Sequence, residues 1–183
     1  MIGHNRGPAL EDGACWRVHC WRQARAALLP HLPVEVVRTR VRRAAELGLD
    51  YRTYAGVRAA TGHDLVAFLF SSNALRLLAP APVLPQDRAE KLAALRACAR
   101  IVLVQPPLAP PMLAEKALPL DALQPAPRMW AADREARATI RAALGRLPAD
   151  TVLLVGDGAL EHDWCAAARL AGYLPAERFF PAA

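Results

Sequence analysis

Four groups of residues in this sequence have types and spacings that could do chemistry. The first is Asp157, Glu161 and Asp163 in TVLLVGDGALEHDWCAAARL, residues 151–170, where an apolar run turns through Gly-Asp-Gly into an alanine-rich segment. Asp157 falls at the carboxyl end of a predicted strand, where α/β folds bind ligands, or else it caps the helix that follows. The second is Ser71, Ser72 and Asn73, directly after the apolar run LVAFLF. Hydroxyls at a strand end line a pocket, serve as a nucleophile, or cap the next helix. No G-x-S-x-G elbow surrounds them, so the cap is the expected role and no catalytic residue is assigned. The third is Cys15, His19 and Cys20, with His4 or His31 as a fourth ligand. Cys15 and His19 share a helix face, but structural zinc couples such a pair to a second one, which this chain lacks. Core thiols are therefore the expected reading, and no metal site is assigned.

The fourth group is basic. Arg38, Arg40 and Arg42 precede Gly48, and Arg52, Thr53 and Arg58 follow it. Residues 1–62 hold ten Arg/Lys against five Asp/Glu, whereas residues 63–183 hold thirteen against twelve. Arginine outnumbers lysine 21 to 2, a compositional bias that explains the residue chosen but not its concentration in one third. Such asymmetry suits a polyanion partner, DNA or RNA. In AELGLDYRTYAGVR, Ala44, Leu47, Gly48, Leu49, Tyr54 and Val57 are spaced as two packed helices with a glycine turn. This segment resembles the repressor-type helix-turn-helix. The resemblance implies that Arg52, Thr53 and Arg58 face a groove while Arg38, Arg40 and Arg42 lie near phosphates. Arg43 departs from it, at a position usually apolar in that motif, and so does Gly56 inside the second helix. An ordinary helical hairpin produces the same spacing.

The stretch 151–170 resembles the fourth motif of haloacid-dehalogenase-type phosphatases, in which such acids hold magnesium. That family also requires an aspartate nucleophile after an early strand, where this chain offers Ser71, Ser72 and Asn73. The enzyme chemistry is therefore not implied. Neither G-x-x-x-x-G-K-[ST] nor G-x-G-x-x-G occurs, so no nucleotide cofactor is expected.

The elements that must position these groups follow from periodicity. Strands are predicted at 65–71, 101–105 and 151–155, with a further short one at 178–180. Helices are predicted at 14–29, 34–47, 52–61, 86–99, 129–147 and 160–171. Seven prolines between 106 and 127 argue for loop there, apart from a turn or two near 112–117. Short strands, apolar on both faces and alternating with helices, indicate an α/β fold. The expectation is a small parallel sheet of three to four strands in residues 63–183, preceded by a basic helical segment in residues 1–62. With 54% hydrophobic residues the chain can bury a core. No apolar run is long enough to span a bilayer and the first residues lack an apolar signal core, so the expected location is cytoplasmic, with no membrane partner.

Three functions fit these observations. The first is a non-enzymatic nucleic-acid-binding or accessory protein using the basic helix pair. The second is an α/β module binding a phosphate-bearing or anionic ligand around Ser71, Ser72, Asn73, Asp157, Glu161 and Asp163, with hydrolase-like chemistry as its enzymatic form. The third is a subunit that docks on a partner protein.

Overall fold

A computed structural model describes residues 32–181. The chain divides into two compact units, residues 1–38 and 39–183. The expected helix at 14–29 and the Cys15, His19, Cys20 set lie outside the described residues. The described part of the first unit opens helix α1 (Val34–Glu46), where Arg38 donates to Glu35 at 2.9 Å between exposed side chains.

The second unit contains the rest of α1, then α2 (Tyr51–Thr61), β1 (Ala67–Ser71), α3 (Gln86–Ala94), β2 (Ala99–Val104), α4 (Pro110–Ala114) and β3 (Ala122–Pro125). It continues with α5 (Asp133–Leu144), β4 (Val152–Gly156), α6 (Ala159–Ala168), β5 (Gly172–Pro175) and α7 (Ala176–Phe179). The fold is α/β. Its sheet has five strands, all parallel, in the order β3-β2-β1-β4-β5.

The expected three to four strands are thus corrected to five. β1, β2 and β4 form the centre, as neighbours buried on both faces. The two additional strands are the edges, β3 and β5. Each is four residues long and ends in proline, Pro125 or Pro175, a residue that a strand tolerates at its edge or end. The short strand expected at 178–180 is not there. Residues 176–179 are helical, and Phe179 and Phe180 turn inward onto the sheet. The helix expected to stop at Gly172 ends sooner, with Arg169 left-handed at φ 56°, and Gly172 instead begins β5.

Side-chain alternation sorts the sheet into two faces. On one, Phe68, Phe70, Val102, Val104, Leu153 and Val155 pack against α1, α2, α3 and α7. On the other, Ala67, Leu69, Ile101, Leu103, Val152 and Leu154 pack against α5 and α6. Helix α5 shows why these segments are helices at all. Its buried residues, Ala136, Ile140, Ala143 and Leu144, recur at the helical period and make one apolar stripe.

Contacts group the helix pair with the sheet from Thr39 onward. Gly48 ends α1 at φ 62°, and Asp50 caps α2 by accepting from the Thr53 N–H at 2.9 Å. Ala44, Leu47, Leu49 and Tyr54 then enter the same apolar cluster as the sheet. A polar clamp fastens the pair. Arg43 donates to Asp64 at 3.0 Å and Glu46 at 3.1 Å, and to the carbonyls of Leu65 at 2.9 Å and Ala97 at 3.0 Å. Asp64 also accepts from the Tyr54 hydroxyl at 2.8 Å and the Leu65 N–H at 2.9 Å.

Burial alone would raise the Asp64 pKa, but the hydrogen bonds from Tyr54 and Arg43 outweigh it and hold the carboxyl below its ordinary value. A pKa depressed by folding stabilises the native state above the unfolded value and loses that contribution as pH falls through the folded one. The expected result is a urea midpoint that declines below about pH 4. Asp64→Asn should lower the midpoint at pH 7 and flatten the decline, leaving the part due to Asp50 and Asp121, which are also depressed. An acid limb unchanged in Asp64→Asn would contradict this assignment.

Candidate functional site

Parallel strands all present their carboxyl ends to one edge of the sheet. Where the strand order reverses, the connecting loops diverge and leave a crevice. Here β1 leads outward to β2 and β3, and the chain then returns to the other side of β1 as β4. The polar residues that follow these strands accordingly meet at one edge.

They join in a single hydrogen-bonded chain. Asn73, after β1, donates through Nδ2 to Gln105 Oε1 at 2.9 Å. Gln105, after β2, donates through Nε2 to Glu161 Oε1. Glu161 Oε2 accepts the N–H groups of Asp157 and Gly158, the latter at 3.0 Å. Glu161 is only 2% exposed, and sits at the third position of α6, from which a glutamate reaches back to the first free amides of its helix. Gly156 makes room for it. A Cβ there would lie 2.6 Å from Glu161 Oε2 and 2.6 Å from Tyr173 Cε2.

The chain borders a hollow of about 300 Å³. Its polar side is Asn73, Gln105 and Glu161 with the backbone at Gly158 and Ala159, and its apolar side is Pro106, Pro127, Met129, Leu160 and Trp164. Met129 is largely exposed, and so is the adjoining Trp130 at 87%.

The residues singled out from sequence fall differently from one another. Ser71 and Ser72 are buried, and their hydroxyls accept backbone N–H groups, from Ala74 at 2.9 Å and from Gln105 at 3.0 Å. They shape the strand ends and are poor nucleophiles. Asn73 and Glu161 belong to the polar chain. Asp157 contributes its amide, while its exposed side chain turns away from that role, and Gly158 takes the helix-cap position. Asp163 is exposed, beside His162 at 3.9 Å. Among the described residues no group of three or more His, Cys, Asp or Glu is placed to hold a metal ion. Nor do the described thiols supply a nucleophile: burial pushes Cys165 up to about 11 and raises Cys98.

Part of the basic set is engaged within the protein. Arg58 stands 4.0 Å from Asp64, and Thr53 donates to Asp50 and accepts from Arg178 at 3.0 Å. Arg40 and Arg42 are two apart on α1, so they project to opposite sides; Arg40 is half-buried and Arg42 exposed. Arg52 borders a shallow groove beside β5 with Thr53, Gly56 and Arg178.

Gln105, Trp164, Met129 and Arg43 were not picked out from sequence as functional or structural centres. For Gln105 a signal existed, as the first polar residue after the run IVLV and before Pro106-Pro107. A search of protein-family models, of curated proteins and of solved structures found no match to the chain. No helix among the described residues is long and apolar enough to cross a membrane.

Proposed function

We propose that this protein is a non-catalytic small-molecule-binding module, with its ligand in the hollow at the carboxyl edge of the sheet. The observation that carries the reading is the coincidence of three things: the strand-order reversal, a largely apolar hollow, and the Asn73–Gln105–Glu161 chain along its side. Concave, mostly apolar sites with a few convergent polar groups are where small molecules bind. Binding without turnover is favoured because the nearby hydroxyls are committed to backbone amides.

Nucleic-acid binding through α1 and α2 is the second reading. In its favour, Arg40, Arg42 and Arg52 carry no ion pair among the described residues, and the Gly48 turn forms. Against it, Thr53 and Arg58 are engaged within the protein, and the second helix buries Tyr54 against the sheet.

A fragment screen followed by thermal shift tests the first reading. Ligands present at a hundredfold excess over Kd should stabilise the protein by about 2.7 kcal/mol. Ala159→Trp, which fills the hollow from the start of α6, should abolish the shift. Hits indifferent to that substitution, or a screen without hits, would count against the site.

A further inference from the structure

We propose that the hollow accepts a small organic cation, an amidinium or guanidinium carried on a flat apolar body; this rests on the reading of the hollow as a ligand site. Its direction of hydrogen bonding is the first argument. Glu161 receives two backbone N–H groups on Oε2, so it is the accepting end of the chain. Gln105 must then point its NH₂ at Glu161, which leaves its oxygen to accept from Asn73. That fixes the Asn73 amide as well. Its Nδ2 is used, and Oδ1 is the open end of the chain, with no partner among the described residues. The hollow therefore offers acceptors and asks for a donor.

Charge is the second argument. Glu161 is the one ionisable side chain among the residues bordering the hollow, and no Arg, Lys or His borders it. On a chain of net charge +6 this is an acidic recess. A phosphate, the anionic ligand expected from sequence, would normally settle against the first amides of α6. The Glu161 carboxylate already occupies that place, through the N–H groups of Asp157 and Gly158. An anion would meet a buried negative charge and no cation.

Size and walls are the third argument. A volume of about 300 Å³ is at the lower end for ligand pockets, which suits one ring with a short polar head. Trp164, Pro106, Pro127 and Met129 provide flat apolar walls for such a ring. The head, an amidinium or guanidinium, carries several N–H donors in one plane. It can satisfy Asn73 Oδ1 and the remaining lone pair of Glu161 Oε1 together.

Three isosteric probes separate the possibilities: benzamidine, benzamide and benzoate, titrated into the full chain and followed by the indole N–H resonance of Trp164. Benzamidine should bind at least about tenfold more tightly than benzamide, and benzoate should not compete. Asn73→Leu should weaken benzamidine by about tenfold, the loss of one charge-assisted hydrogen bond. Ala159→Trp should prevent all binding. If benzamide matches benzamidine, or benzoate binds best, while Ala159→Trp still blocks it, the site stands and its assignment to cations is overturned. If no probe moves the Trp164 resonance, or if binding survives Ala159→Trp, the site itself is refuted, and the assignment with it.

Discussion

Replacing Arg43 with leucine should lower stability by roughly 2–4 kcal/mol, because it removes the clamp between the helix pair and the sheet. The Arg43 side chain is 16% exposed and meets Asp64, Glu46 and the carbonyls of Leu65, Ala97 and Arg96. Leucine fills part of the volume but leaves these carbonyls and the Asp64 carboxylate facing an apolar group. The partial exposure of Asp64 and Glu46 lets water recover some of the loss, which sets the upper limit. Arg43→Lys should fall in between, since one ammonium cannot reach acceptors spread around a planar fork. The experiment also bears on function. In a free-standing helix-turn-helix that position is apolar, so leucine would be neutral or stabilising. A urea midpoint unchanged in Arg43→Leu would favour the nucleic-acid reading over the one argued above.

Glu161→Ala should cost more, on the order of 3–5 kcal/mol. It leaves the Gln105 amide and the amides of Asp157 and Gly158 without their acceptor, and opens a void beneath Gly156. At the usual scaling for a domain of this size, that lowers the melting temperature by roughly 6–20 °C. Glu161→Gln preserves volume but turns an NH₂ toward groups that are themselves donors, so it should recover only part of the loss. A surface-like cost of a few tenths of a kcal/mol for Glu161→Ala would show that the polar chain is not formed in solution.

The centre of the sheet was legible in the sequence because its strands are buried on both faces. AFLF, IVLV and VLLV stand out as unbroken apolar runs. The edges were not, for the same physical reason reversed. ALQP and GYLP are short, half-exposed and end in proline, so neither alternation nor an apolar run marks them. At the candidate site, the residues that stand out in the sequence are the charged and hydroxyl-bearing ones. Asp157 was the conspicuous acid, yet Glu161 is the buried one, because only a residue at the third helical position can turn back to the first amides. Gln105 carries neither charge nor motif. Its importance follows from standing beside Asn73, a proximity set by the β1–β2 pairing and absent from linear spacing. Arg43 was visible as an oddity, and its five partners span residues far apart in the chain.

The strand order also bears on how the chain comes together in time. β1 is the first strand among the described residues and lies in the middle of the sheet, so one of its long sides waits for β4. Until then Phe68, Leu69 and Phe70 sit on a ribbon with an unpaired edge, while α3, β2, α4, β3 and α5 are still being placed. Closing that gap requires a distant contact, the kind that slows folding. During this interval the unpaired edge is open to pairing with a strand of another copy. Crowded synthesis would therefore put this chain at risk of self-association before the crevice exists, and chaperone protection would matter most before β4 arrives.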